Sequence, residues 1–155
     1  MKPSPYLTLL TCAILGLARS ASAADAPKAP PTDVIQFDHT RVAAALATGV
    51  GAGLQTNTAY KVLTSRRVAP GAVEIHILDT DVFYIVDGTA TFVTGGTAVD
   101  QQQVGPNEFH AKSITGGTEH HLSKGDVIII PHGTPHQFVE VSNPFLYFVV
   151  KVTQQ

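Results

Sequence analysis

The chain is predicted to be all-β, a small antiparallel barrel or sandwich preceded by one short helix. Short runs rich in β-branched and aromatic residues recur at even spacing from Tyr60 onward. Turn residues separate them, at Ala69-Pro70-Gly71, Asp87-Gly88, Gly95-Gly96, Gly116-Gly117 and Pro131–Gly133. Many short strands spaced this way are the pattern of a sandwich or a barrel. A helical pattern occurs upstream of Gly49, over about ten residues.

Taken in order, the chain opens with Met1-Lys2, an apolar run from Tyr6 to Ala18, and Ala21-Ser22-Ala23. That is the layout of a secretory signal peptide over residues 1–23, cleaved after Ala23. The run is too short to span a bilayer. A lipoprotein reading at Cys12 is disfavoured by the bulky Thr11 before it. Residues 24–32, rich in Ala and Pro, read as a disordered linker. Residues 33–155 read as a single domain. Within it, Val34–Phe37 reads as a short strand. Asp38 or Thr40 then caps a helix whose apolar side carries Val42, Ala43, Leu46 and Ala47. Gly49 ends the helix, and Gly49–Asn57 reads as loop.

Strands are expected at Tyr60–Val68, Val73–Leu78, Val82–Val86 and Thr89–Val93, with Asp87-Gly88 as a hairpin turn. Asp100–Lys112 has little apolar periodicity and contains Gln101-Gln102-Gln103 and Gly105-Pro106, so it reads as a surface loop. Glu119–Leu122, Val127–Ile130, Gln137–Val141 and Phe145–Val152 return the chain to the sheet.

Signal cleavage removes Cys12, the only cysteine, so the mature protein has neither thiol nor disulfide. The signal also takes Lys2 and Arg19, leaving eight basic against twelve acidic side chains, a net charge of −4. No basic patch remains, which argues against nucleic acid or an anionic membrane as partner. The implied location is secreted or periplasmic. There is no Gly-x-Ser-x-Gly elbow, phosphate-binding loop or dinucleotide fingerprint.

The most specific stretch is Gly125 to His136, which reads G-D-V-I-I-I-P-H-G-T-P-H. An apolar strand leads into a tight Pro-x-Gly turn that returns His136 toward the strand's apolar side. Upstream, Glu74-Ile75-His76 is followed by four residues, Asp81, six residues and Gly88. Together these resemble the two signature motifs of the cupin superfamily, over roughly Tyr60 to Val152. The second motif departs from the pattern at Glu140, where the family has Asn. In the first, Glu74 stands for the first histidine and Asp81 for the glutamate, so this motif is degenerate. The resemblance implies a small antiparallel cupin or jelly-roll barrel, a lumen metal bound by His76 and His136, and a homodimer.

Alternation along strands puts Glu74 and His76 on one face, Asp81, Phe83 and Ile85 on another, and His136, Phe138 and Glu140 on a third. If those faces meet in the lumen, the metal set is Glu74, His76, Asp81 and His136. Buried charges without partners are costly, and a divalent cation satisfies imidazoles and carboxylates together. Asp81 is open to three readings: direct ligand, ligand through water, or hydrogen-bond partner of an imidazole. Glu74 is a ligand, a catalytic general base, or an outward strand carboxylate. Taken alone, a histidine such as His76 on an apolar strand is usually a hydrogen-bonded core residue.

Glu140, His110, His120, His121 and His132 read as surface residues, and Asp79 as a turn cap. Glu108 and His110 sit in the long loop as lid candidates. Arg66 and Arg67 point to opposite faces, so that one can enter the lumen and hold an anionic substrate, or both lie on a solvated strand. Phe83, Ile85, Ile128, Ile130, Phe138 and Phe148 are the expected lumen residues.

One divalent metal ion per chain is expected: Mn, Fe, Zn or Ni by ligand type. The function expected is a secreted metal-dependent enzyme on a small oxygenated organic molecule, of dioxygenase type or a metal-assisted lyase or isomerase. The alternatives are a non-enzymatic ligand- or metal-binding module of the cell envelope, and a structural subunit with a filled barrel.

Overall fold

Residues 28–154 are described by a computed structural model; the segment read as a signal peptide lies outside them, as do the first residues of the linker. Two antiparallel sheets face each other. One has the order β1-β2-β13-β4-β11, built from β1 (Ala52–Thr56), β2 (Tyr60–Arg67), β13 (Phe145–Thr153), β4 (Asp79–Asp87) and β11 (Val127–Ile130). The other has the order β10-β5-β12-β3-β8-β7, from β10 (Thr118–Ser123), β5 (Thr89–Thr94), β12 (His136–Val141), β3 (Val73–His76), β8 (Glu108–Ala111) and β7 (Gln102–Gly105). A small ribbon pairs β6 (Thr97–Val99) with β9 (Ser113–Thr115). The expected all-β architecture of short antiparallel strands behind one N-terminal helix is the observed one.

Period-2 alternation explains the core. Along β4, Asp81, Phe83 and Ile85 are buried while Tyr84 is exposed. Along β13, Phe145, Tyr147 and Val149 point inward. Phe92 and Phe138 meet them from the opposing sheet, with ring centroids 4.4 Å apart, and Phe83 stacks on Phe138 at 5.8 Å. Such an aromatic cluster supplies much of the apolar area that holds two sheets together. Phe148, expected in the lumen, is half-buried on the outer side, because the inward parity of β13 belongs to Tyr147.

The helix α1 (His39–Thr48) forms where expected. Asp38 Oδ1 accepts the Arg41 backbone N–H at 2.8 Å, the N-cap bond. Its buried residue is Ala45, flanked by half-buried Val42 and Leu46. Ala43 and Ala47, placed on the apolar side by sequence, are exposed. The difference is a rotation of less than one-third of a turn, too small for alanines to register in a hydrophobic pattern.

Four local expectations change. Val34–Phe37 forms no strand. The glycine-rich stretch before Asn57 contains β1, which pairs with β2 through a bulge between Gly53 and Gln55. The supposed loop Asp100–Lys112 contains β7 and β8, with β8 paired to β3. Strand β7 is exposed on both faces, so backbone pairing holds it without any apolar period to reveal it. Finally, Asp87-Gly88 is not a hairpin: β4 and β5 lie in different sheets. Gly88 adopts φ 86°, and a Cβ there would collide with Ser142 Oγ and stand 2.8 Å from Pro144 O. Glycine is required because the chain changes sheets in a confined left-handed step.

Candidate metal centre

Two strands of one sheet assemble the centre. On β3, Glu74 and His76 are two residues apart and share a face. His136 opens β12 and is paired across the ladder with Glu74. One ligand atom from each of Glu74, His76 and His136 lies within 4.8 Å of the others. The two imidazole centroids are 5.3 Å apart. Both histidines are buried, and the Nε2 atoms of both have no hydrogen-bond partner among the described residues.

The tautomer of His136 follows from its neighbour. Its Nδ1 lies 3.0 Å from Thr134 O. A carbonyl only accepts, so Nδ1 carries the proton and Nε2 presents a lone pair to the hollow. Burial pushes the His136 pKa down, which keeps the ring neutral near neutral pH. Glu74 behaves oppositely. Burial raises its pKa, but the adjacent His76 imidazole and the Arg67 guanidinium outweigh this and hold it at about 2. A buried imidazole that presents a lone pair, a second whose Nε2 has no hydrogen-bond partner among the described residues, and an ionised carboxylate together fit a divalent cation of borderline character.

Asp81 stands outside this trio. It is buried on β4, and its Oδ2 lies 3.6 Å from His76 Nε2. The same oxygen accepts from Lys151 Nζ at 2.6 Å. Strand register causes this, since Lys151 is directly opposite Asp81. Asp79, read as a turn cap, is buried in a second ion pair, 2.9 Å from Lys61 Nζ, and accepts Thr153 Oγ1 at 2.7 Å. Burial raises its pKa, and these partners more than reverse that, leaving it below the usual carboxylate value.

The trio lines a hollow of about 220 Å³ whose apolar floor includes Phe83 and Phe138. Of the arginine pair, Arg67 points inward. Its Nε donates to Tyr147 Oη at 2.8 Å, its guanidinium sits 4.9 Å above the Phe138 ring, and its Nη2 is 3.5 Å from Glu74 Oε1. Burial pushes the Tyr147 phenol up, so it keeps its proton. Lys151 and Glu108 also border the hollow.

Sequence reasoning passed over Lys151 and Tyr147. The available signal was parity: Phe145, Tyr147, Val149 and Lys151 occupy alternate positions of one apolar strand. Glu140 is exposed because a bulge between Phe138 and Glu140 turns it outward. None of the four other histidines flagged by sequence joins the trio. His110 pairs with Glu108 at 3.1 Å on β8, in a strand rather than a lid loop. His120 bonds Thr94 Oγ1 at 2.9 Å, His121 is solvated, and His132 Nδ1 lies 3.2 Å from Ile77 O.

No family model matches the chain, and no curated protein matches it. Solved structures do share its fold. A protein of Bacillus halodurans aligns over 84% of this chain and 88% of its own, with 14% identity and a TM-score of 0.54. A protein of Neisseria meningitidis aligns over 77% of this chain and 100% of its own, with 9% identity and a TM-score of 0.52. A looser overlay, TM-score 0.44 at 17% identity, is with a DMSP lyase from Ruegeria pomeroyi; it covers 62% of this chain, which spans only 39% of that one. At these identities the likeness shows a shared fold alone. The chemistry rests on the site.

Proposed function

We propose that this protein is an exported, metal-dependent enzyme that holds one divalent ion per chain on Glu74, His76 and His136. The substrate is a small oxygenated organic molecule, and the reaction is of the lyase or isomerase kind. The observation that carries this is the convergence of three ligand atoms within 4.8 Å, from Glu74 and from two buried imidazoles whose Nε2 atoms have no hydrogen-bond partner among the described residues. Leaving such atoms unpaired costs roughly 1–3 kcal/mol each, a cost that coordination removes.

The bound ion supplies Lewis-acid polarisation of a substrate oxygen. The protein's own groups supply the rest. Glu74, paired across the ladder with His136, would hold the ion together with the two imidazoles. Asp81 serves as the anchor of Lys151 rather than as a ligand. The Tyr147 hydroxyl and the Lys151 ammonium border the hollow as proton-holding groups, and Phe83 and Phe138 exclude water. Groups that hold and move protons favour lyase or isomerase chemistry over consumption of dioxygen.

The test is to load the protein in turn with Mn(II), Fe(II), Zn(II) and Ni(II), and measure bound metal in the wild type, Glu74→Gln and His136→Ala. Wild type should bind near one equivalent, with His136→Ala below a tenth of that under the same conditions. A wild type that binds no metal, or a His136→Ala variant that binds normally, sinks the centre. Ligand binding without turnover would make the protein a binding module, and oxygen uptake during turnover would move the reaction to the oxygenases. Export through residues 1–23 is checked by the mass of the native protein, expected to begin at Ala24.

A further inference from the structure

Arg67 is nearly enclosed, with its side chain 10% exposed, yet only its Nε is committed to a hydrogen bond among the described residues. The stacked Phe138 ring and the Tyr147 hydroxyl hold the guanidinium plane in one orientation. Gly71 leaves room for it, because a Cβ there would stand 2.6 Å from Arg67 Nη1. The result is a pre-oriented fork of N–H donors bordering the same hollow as the trio.

Charge indicates what that fork is for. The hollow is bordered by two cations, Arg67 and Lys151, and three carboxylates, Glu74, Asp81 and Glu108. Without metal the sum is −1. A bound divalent ion turns it to +1, in a cavity with an apolar floor that strengthens each interaction. The loaded site therefore lacks one negative charge, and it has one rigid fork that matches a carboxylate.

Resting on the metal centre proposed above, we propose that the substrate is a small carboxylate anion, anchored by Arg67 beside the metal, and that its binding requires the metal to be present. Arg67 and Tyr147 then recognise the carboxylate while the metal side takes a neighbouring oxygen. Arg66, on the opposite face of β2, plays no part.

The probes are glycolate and its neutral amide, glycolamide, which match in size and hydroxyl position. Binding of each is measured by calorimetry to the metal-free and the Mn(II)-loaded protein. Loaded wild type should prefer glycolate at least tenfold over glycolamide, and metal removal should erase that preference. Arg67→Met should weaken glycolate by about tenfold or more, leave glycolamide unchanged, and still take up one equivalent of Mn(II); Arg67→Lys should fall between. If Arg67→Met does not fold, Gly71→Ala, which crowds the guanidinium without changing charge, should weaken glycolate in the same direction. Equal affinity of loaded wild type for the two probes, or full glycolate affinity in either variant, overturns the carboxylate assignment while leaving the metal centre standing. Loss of Mn(II) from Arg67→Met shows that the arginine only positions Glu74, and overturns the assignment too. A wild type that takes up no Mn(II) instead removes the centre itself.

Discussion

The sharpest single-residue question is why a half-buried lysine occupies a lumen that already has a candidate cation site. Lys151 neutralises Asp81, which is 2% exposed, and so holds that carboxylate away from the trio. Removing one member of a buried pair leaves the other charged and unsatisfied, typically at about 3 kcal/mol or more. Lys151→Met should therefore lower the melting temperature of the metal-free protein. Mn(II) should restore more of the loss in this variant than it adds to the wild type, because Asp81 is then free to turn toward the ion. Thermal melts with and without Mn(II) read this directly, and an equal gain in both proteins would place Asp81 out of the ion's reach. Of the four predicted metal residues, Glu74, His76 and His136 are brought together by the structure. The spacing inside each motif carried that information, whereas the Lys151 partner of Asp81 comes from a strand seventy residues away.

Among the elements, β4 and β13 form the central pair of their sheet, and their far end is fastened by Asp79, Lys61 and Thr153. The Asp79 carboxyl is lowered from its ordinary 3.8. A lowered folded-state pKa adds stability that is present above 3.8 and is lost as pH falls through the lowered value. Asp79→Asn should thus cost about 2 kcal/mol at neutral pH and flatten the acid limb of the stability profile, measured by urea unfolding between pH 7 and pH 2. An unchanged acid limb would show that the pair does not hold the strands. The strands read correctly from sequence were those with a buried face. Those missed, among them β1, β7 and β8, owe their existence to ladder pairing with β2, β8 and β3 in turn, and pairing partners leave no mark on a strand's own residues.

At the scale of the whole molecule, a group of exposed apolar side chains lies together on one sheet face. Tyr84, Val127 and Ile129 are 48%, 60% and 62% exposed on the outer face of β4 and β11, with Val127 directly opposite Tyr84. Strand β11 is also the edge of its sheet. Large exposed side chains grouped this way favour association, and we propose this face as the interface of the homodimer expected from the sequence. The C-terminal strand instead completes the barrel between β2 and β4. Light scattering coupled to gel filtration should give a dimer for the wild type and a monomer for Val127→Glu/Ile129→Glu, and a monomeric wild type would end the proposal.

Local chemistry is written locally. Alternating apolar runs, a Pro-x-Gly turn before His136, an Asp cap before α1 and two histidines on inward-facing strands were all readable in the bare chain, because strand parity, caps and tight turns depend on residues a few positions apart. Which lumen groups meet was not readable in that way. The pairing of Lys151 with Asp81, the entry of Arg67 beside Tyr147 and the bulge that expels Glu140 depend on the register between strands far apart in the chain, and shifting that register by one residue would exchange every inward side chain for an outward one.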